Sequence, residues 1–293
     1  MNAAEAQCLI SAKDWQATAT AHLKRAEHYT IPARDRHTRH QAHPVQDFLF
    51  GYYPFPLSLL EKWHPGVGVS LENIEGVPEH LRTKHYRLVN DSIVTDPSIL
   101  TDKGRLRLGY MIEMLEATRD RAPNFGCHGL HEWAMVYRGQ EIRHEETLSL
   151  RLAQEDIDAL VESRPICCSH HDAFRFFAEE AKPFNLLQPT LQTRADHEQP
   201  ACLHANMDLY KWAAKAMPWV GSSLLLDCFE LALDLRELDM RASPYDLSPW
   251  DLKAVAIETP DGRREYEHEQ RQLAERAKPL RQRLIDALKD VVH

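Results

Sequence analysis

Over residues 263 to 291 the apolar residues Leu273, Ala277, Leu280, Leu284, Leu288 and Val291 recur at intervals of three and four. That period closes one apolar stripe on a helix and is incompatible with a strand, whose faces alternate every two residues. The same period returns in residues 104–120, where Leu108, Met111, Ile112, Leu115 and Thr118 share a face, and in residues 203–217 and 222–241. A shorter helix is expected over AQEDIDALVE. No regularly spaced set of strands appears, so the fold class expected is mainly α: a single globular domain of packed helices with minor β-hairpins and a long C-terminal amphipathic helix. The hairpins are expected in KHYRLVNDSIVTD, around Asn90 and Asp91, and in AVAIETPDGRREY, around a PDG turn. The organisation expected is an N-terminal segment (1–42) with a basic, His-rich stretch, a main domain (43–262), and a C-terminal helix (263–293) packed on it.

The composition, 43% hydrophobic and 27% charged over 293 residues, suffices for one sizeable core and excludes general disorder. No apolar run approaches the length of about 18 residues that a membrane helix needs. The opening MNAAEAQCLISAKDWQ carries Glu5 and no basic stretch and reads as neither signal nor anchor, so no membrane partner and a cytoplasmic location are expected. Six cysteines in such a chain read as reduced thiols. A net charge of −9 disfavours non-specific binding along a nucleic-acid backbone. The segment RDRHTRHQAH (34–43) is locally basic without an apolar period and reads as solvated, with a phosphate-facing role as the alternative. Oligomeric state is not legible.

Seventeen histidines are the compositional oddity, and the residues able to bind metal or move protons gather in four places. FGCHGLHEWAMVYR holds Cys127, His128, His131 and Glu132, followed by Glu141 and His144 at ExxH spacing. ICCSHHDAFRFF holds Cys168, His170, His171, Asp172 and Arg175. In EQPACLHANMDLYKWA, His204 and Asp208 are one helical turn apart and share a face, with Asn206 and Tyr210 adjoining. LDMRASPYDL holds Asp239, Arg241, Tyr245 and Asp246. A single His or Asp in apolar surroundings is more often a structural hydrogen-bonder. Clusters interleaved with Trp133, Tyr137, Phe174, Phe176, Tyr210 and Trp212 point instead to a pocket for a planar ligand. HExxH, paired ExxH, CxxC and the zinc-deaminase pattern are absent, as are phosphate-loop and dinucleotide motifs. HPGVG (64–68) reads as an ordinary Pro-Gly turn, because the stretch after it soon reaches Gly76 and Pro78.

HPVQDFLFGYYPFPLSLLEKWHPGVGV, FGCHGLHEWAMVYR, CSHHDAFRFF, EQPACLHANMDLYKWA and LDMRASPYDL resemble a bacterial, largely actinobacterial family commonly labelled 3-methyladenine DNA glycosylase, over roughly residues 40 to 285. The resemblance implies an N-glycosylase that releases an alkylated purine without a cofactor, with DNA or a purine-containing ligand as partner. It carries no residue roles. Base excision requires a carboxylate, a stacking slot and a basic rim. The catalytic candidates are Asp172, Asp208, His131 and Glu132. The substrate-binding candidates are Trp133, Arg175, Asn206, Tyr210 and Arg241. The alternative is a metal- or haem-dependent, oxygenase-like enzyme acting on a small planar molecule, with iron or haem held by His170, His171 and His204. It accounts for the histidines and the negative charge. A non-catalytic helical scaffold would leave the polar clusters unexplained.

Overall fold

The computed structural model of the protein describes residues 8–139 and 148–292. Glu141 and His144 therefore lie outside the described residues. The fold is mainly helical with one small sheet, as the periodicities require, and no described helix is long and apolar enough to cross a membrane. The chain divides into two compact units: one made of the described residues up to Leu115 with Leu209–Glu230 and the residues from Leu280 onward, the other of Glu116–Asp208 and Leu231–Pro279.

In the first unit, strand β1 (Cys8–Ile10) leads into α1 (Ala12–Thr38). Ser11 caps this helix, its side chain accepting from the Asp14 N–H. The basic stretch is mostly exposed, as a solvated segment should be, and its first residues, up to Thr38, belong to this helix. The buried face of α1 consists of Trp15, His22, Ala26, Thr30 and Ala33, spaced like any amphipathic stripe but built from small and polar residues that carry little apolar signal. Two arginines of the stretch are fixed by carboxylates: Arg36 donates two bonds to Asp47, at 2.8 and 2.6 Å, and Arg34 pairs with Glu61. Short helices α2 (Phe48–Tyr52) and α3 (Ser58–Glu61) follow. HPGVG runs directly into strand β2 (Val69–Glu72), and so is the turn its sequence suggests.

Strands β3 (Tyr86–Val89) and β4 (Ser92–Thr95) form the expected hairpin, with Asn90 and Asp91 at φ 47° and 59°. These are the left-handed values that a two-residue hairpin turn demands and that Asn and Asp tolerate best. The sheet order is β1-β2-β4-β3, parallel between β1 and β2 and antiparallel elsewhere, with Leu71 opposite Ile93. Leu71 and Ile93 pack with Trp15, Trp63, Val77, Leu81 and Tyr86 into a core. The Trp15 indole N–H donates to the Glu72 carbonyl at 3.0 Å, so this tryptophan buries no unpaired donor. Helix α4 (Asp102–Asp120) ends before Pro123, and its predicted face is buried.

The second unit holds α5 (Leu130–Met135), α6 (Gln154–Glu162), α7 (His171–Phe174) and α8 (Arg194–His197). Helices α9 (Leu203–Lys215), α10 (Ser222–Arg241) and α11 (Pro260–Val292) each contribute residues to both units. The second expected hairpin is absent: ETPDGRREY is the start of α11. Thr259 accepts from the Gly262 N–H at 3.0 Å, Pro260 occupies the first helical position and Asp261 lies in the first turn. Pro and Gly signal a turn only when both lie outside an element; a Thr cap followed by Pro is a helix start. Gly262 is required by contact rather than by φ, since a Cβ there would stand 1.9 Å from the Ala256 carbonyl oxygen.

Two outcomes follow. Gly to Ala within a helix normally stabilises by up to about 1 kcal/mol, whereas Gly262→Ala will destabilise by about 2 kcal/mol or more, because backbone must move to admit the methyl; a lowered urea midpoint checks the sign. Burial, with the charges of His80 and Lys62, holds His64 down at about 3, and its Nδ1 accepts from the Tyr86 hydroxyl at 2.6 Å. The unfolded chain then takes up the proton first, from about pH 6.5 downward, so stability present at neutral pH is lost as pH falls from about 6.5 toward 3. Urea midpoints measured between pH 7.5 and 4 will fall more steeply in the wild type than in His64→Gln.

Candidate functional site

The polar clusters of the second unit meet in a buried layer organised around three imidazoles. The His131 and His204 rings lie 4.8 Å apart edge to face, and His204 and His170 lie 5.4 Å apart, nearly parallel. His204 comes from the first turn of α9, His131 from α5, and His170 from the residue that precedes α7.

Each outer ring meets a pair of carboxylates held by one arginine. At one end, His131 Nε2 is 2.8 Å from Asp239 Oδ1, while Arg236 donates to Asp239 Oδ2 at 3.0 Å and reaches Glu132 at 3.5 Å. Arg236 and Asp239 lie three apart on α10, the spacing that puts two side chains on one face. At the other end, His170 Nε2 is 3.4 Å from both Asp208 and Glu198. There Arg194 donates to Asp208 at 2.8 Å and to Glu198 at 2.7 Å, and lies 3.6 Å from Asp172. All these groups except Asp172 are almost wholly buried. Buried carboxylates without counter-charge would neutralise themselves by taking up protons.

The electrostatics separate the two carboxylates beside His131. Burial and then the neighbouring Asp239 charge push Glu132 up to about 7. Burial would raise Asp239 as well, but the His131 and His204 rings and Arg236 hold it well below the usual carboxylate range. Burial opposes charge on His131, yet Asp239 and Cys127 outweigh it and raise the ring well above its ordinary value. Burial depresses His204 to about 3, so the central ring is neutral at pH 7.

The second nitrogen of His131 faces a thiol. Cys127 Sγ lies 3.4 Å from His131 Nδ1, placed there by a reversal in which His128 and Gly129 adopt φ 48° and 75°. Glycine is needed at 129 for closeness as well, because a Cβ would stand 3.2 Å from the Ala242 methyl. A hydrogen bond from Cys168 and the His131 charge hold the Cys127 thiol well below its ordinary value. The same hydrogen bond, with burial, pushes Cys168 up, and burial pushes Cys202 up to about 12. Cys127, Cys167, Cys168, Cys202, His131 and His204 line one cavity of about 20 Å³. Cys127 and His204 are half-buried rather than sealed.

Of the residues singled out in the sequence, Cys127, His131, Glu132, Cys168, His170, His204, Asp208 and Asp239 come together, with Asp172 at the edge. The others do not join them. Trp133 is buried with its indole N–H donating to Ala242 O at 2.8 Å, and Arg151 covers its ring. Asn206 donates to Pro200 O at 3.0 Å and ties down the loop before α9. Tyr210 belongs to the other unit, against Tyr53, Phe55 and Phe229. Arg241 pairs with Glu269 and bonds Lys253 O. Arg175 lies half-exposed over Phe176. His171 Nδ1 is 3.2 Å from Pro189 O. Sequence reasoning missed Arg194, Glu198 and Arg236. For Arg236 a signal existed, a cation one helical turn before Asp239 within an apolar stripe; for Arg194 none did.

His131, Glu132, His204 and Asp239 each offer a donor atom within 4.8 Å of the others, as do His170, Asp172 and Asp208. Both groups have metal-compatible spacing, but in each an arginine already supplies the cation. No protein-family profile matches the chain, and no curated protein or solved structure is significantly similar to it.

Arg194→Met will leave the buried Asp208 and Glu198 without their counter-charge and cost about 3–5 kcal/mol. Arg175→Met, at a half-exposed side chain, will change stability by about 0.5 kcal/mol or less. Paired urea titrations check the contrast.

Proposed function

We infer that the protein is a cysteine-nucleophile enzyme of the acyl-transfer type. The observation that carries this reading is the continuous chain from Cys127 Sγ through His131, at 3.4 Å, to Asp239, at 2.8 Å. A nucleophile within reach of a base that a third group orients is the arrangement covalent catalysis requires. Asp239 accepts a hydrogen bond from Nε2–H and leaves Nδ1 as the atom that holds the proton drawn from the thiol. With the thiol proton already on His131, the Cys127 thiolate attacks a carbonyl carbon, forming the S–C bond as the carbonyl electron pair moves to oxygen. Collapse delivers that proton to the leaving group. A water, giving a proton to the same nitrogen, then releases the acid and restores the thiol. Ser169 Oγ lines the same cavity and has no hydrogen-bond partner among the described residues, which suits it to donate to the carbonyl oxygen. The cavity's size favours a small acyl group presented from outside.

The other functional readings draw less support. Base excision would use Trp133 and Tyr210 as a stacking slot, and both are committed to packing and hydrogen bonds of their own. Haem far exceeds a cavity of about 20 Å³, and a metal held by His170 with Asp208 would sit against the Arg194 guanidinium.

With metal-free, reduced protein, iodoacetamide will alkylate Cys127 at least about tenfold faster than the exposed Cys8, and Asp239→Asn will slow Cys127 but not Cys8. Cys127→Ser will abolish a burst of acyl-enzyme from an activated ester. Equal rates at Cys127 and Cys8 in the wild type would refute the thiol reading. Release of 3-methyladenine from alkylated DNA by Cys127→Ser at the wild-type rate would put base excision in its place.

A further inference from the structure

The locally basic stretch at the end of α1 borders a hollow that the thiol chemistry does not use. The last turn of α1, the loop after it, α2 and the loop before α3 line an open cavity of about 720 Å³. That volume falls within the roughly 300–1,000 Å³ of small-molecule sites. All of its lining residues belong to the first unit, and none takes part in the thiol chemistry above. We propose that this cavity binds a small amphipathic monoanion, an aromatic body bearing one carboxylate, with the ring on Phe50 and Phe55 and the carboxylate at Arg36, His37 and His40.

The apolar wall receives the body of the ligand. Ala33, Phe50, Phe55 and Leu57 line the cavity, and the two phenylalanines are only partly buried. Other rings fix their positions: Phe50 packs on Phe229 with ring centroids 5.3 Å apart, and Phe55 lies edge-on to Tyr210 at 5.8 Å. Rings held in this way offer a rigid surface on which a planar group can stack.

The polar rim comes from the end of α1. The Arg36 guanidinium gives Nε and Nη2 to Asp47, at 2.8 and 2.6 Å, which leaves Nη1 with no hydrogen-bond partner among the described residues. Asp47 also accepts from the His43 N–H at 2.9 Å, so it is tied to the loop and holds the guanidinium in one orientation. The His37 and His40 rings line the cavity and likewise have no hydrogen-bond partner among the described residues. His40 is held at φ 55°, the left-handed position after a helix where glycine is the usual residue; an imidazole there instead gives the rim a further donor. The α1 carbonyls of Asp35, Arg36 and His37, whose partial negative charge would oppose an anion, are taken by the N–H groups of Arg39, Gln41 and His40. The charge count selects the head group. Arg36 and Asp47 cancel, so a carboxylate brings one negative charge to a rim of donors, whereas a phosphate would set a second beside Asp47.

The test is calorimetric titration of the full, reduced chain with three probes that share one ring system: 2-naphthoate, 2-naphthamide and 2-naphthyl phosphate. The proposal expects one 2-naphthoate per chain, bound at least about fivefold more tightly than the amide and more tightly than the phosphate. His40→Gly, which suits the left-handed backbone, will weaken 2-naphthoate at least about threefold and leave 2-naphthamide unchanged. Gly51 lines the cavity and a Cβ there meets nothing within 4 Å, so Gly51→Trp will fold and will weaken both the acid and the amide at least about tenfold. No saturable binding at about 1 mM, acid and amide within about fivefold of each other, or a phosphate bound more tightly than the acid would overturn the proposal. So would a 2-naphthoate affinity unchanged in both variants, which would mean adventitious binding at another apolar surface. The comparison of acid with amide in the wild type decides even where a variant fails to fold.

Discussion

Two arginines make the buried polar layer of the second unit possible. Asp239 and Glu132 at one end, and Asp208 and Glu198 at the other, are all nearly inaccessible to solvent, and two close carboxylates in such a medium repel each other strongly. Arg236 and Arg194 lie between the members of each pair, and each guanidinium offers more than one donor in a fixed plane. With that charge in place Asp239 stays ionised beside His131. Without it, one proton per pair would be taken up and the orientation of both outer imidazoles would be lost.

The two ends share a plan, an arginine, two carboxylates and a ring, but differ in what the far nitrogen of the ring meets. His131 Nδ1 meets Cys127. His170 Nδ1 is buried and has no hydrogen-bond partner among the described residues. The thiol end can therefore carry a proton between sulfur and ring, which the other end cannot. The neutral His204 lies between them and separates the two charged ends by its ring.

Local physics made much of this chain legible. The stripe of Leu273 to Val291 is α11, the faces read in residues 104–120, 203–217 and 222–241 are α4, α9 and α10, and Asn90-Asp91 is the hairpin turn. The one-turn spacing of His204 and Asp208 did put both on the face that meets the site. One local reading failed, and one long helix gave little signal, both for local reasons. Thr259 caps a helix whose Pro260 and Gly262 look like a turn, and α1 buries Ala26, Thr30 and Ala33 where a periodicity argument looks for leucines.

What the sequence determined by itself was the set of helices and the residue types available for chemistry, because hydrophobic period, capping and turn conformation act between residues a few positions apart. Only the tertiary structure decided which of those residues form the site. Arg194 reaches Asp208 from a different helix, Asp239 lies more than one hundred positions from His131, and Trp133, Tyr210 and Arg241 are drawn away by partners of their own. Contacts between distant segments depend on how helices pack, and packing follows from the shape and charge of whole faces rather than from any spacing along the chain.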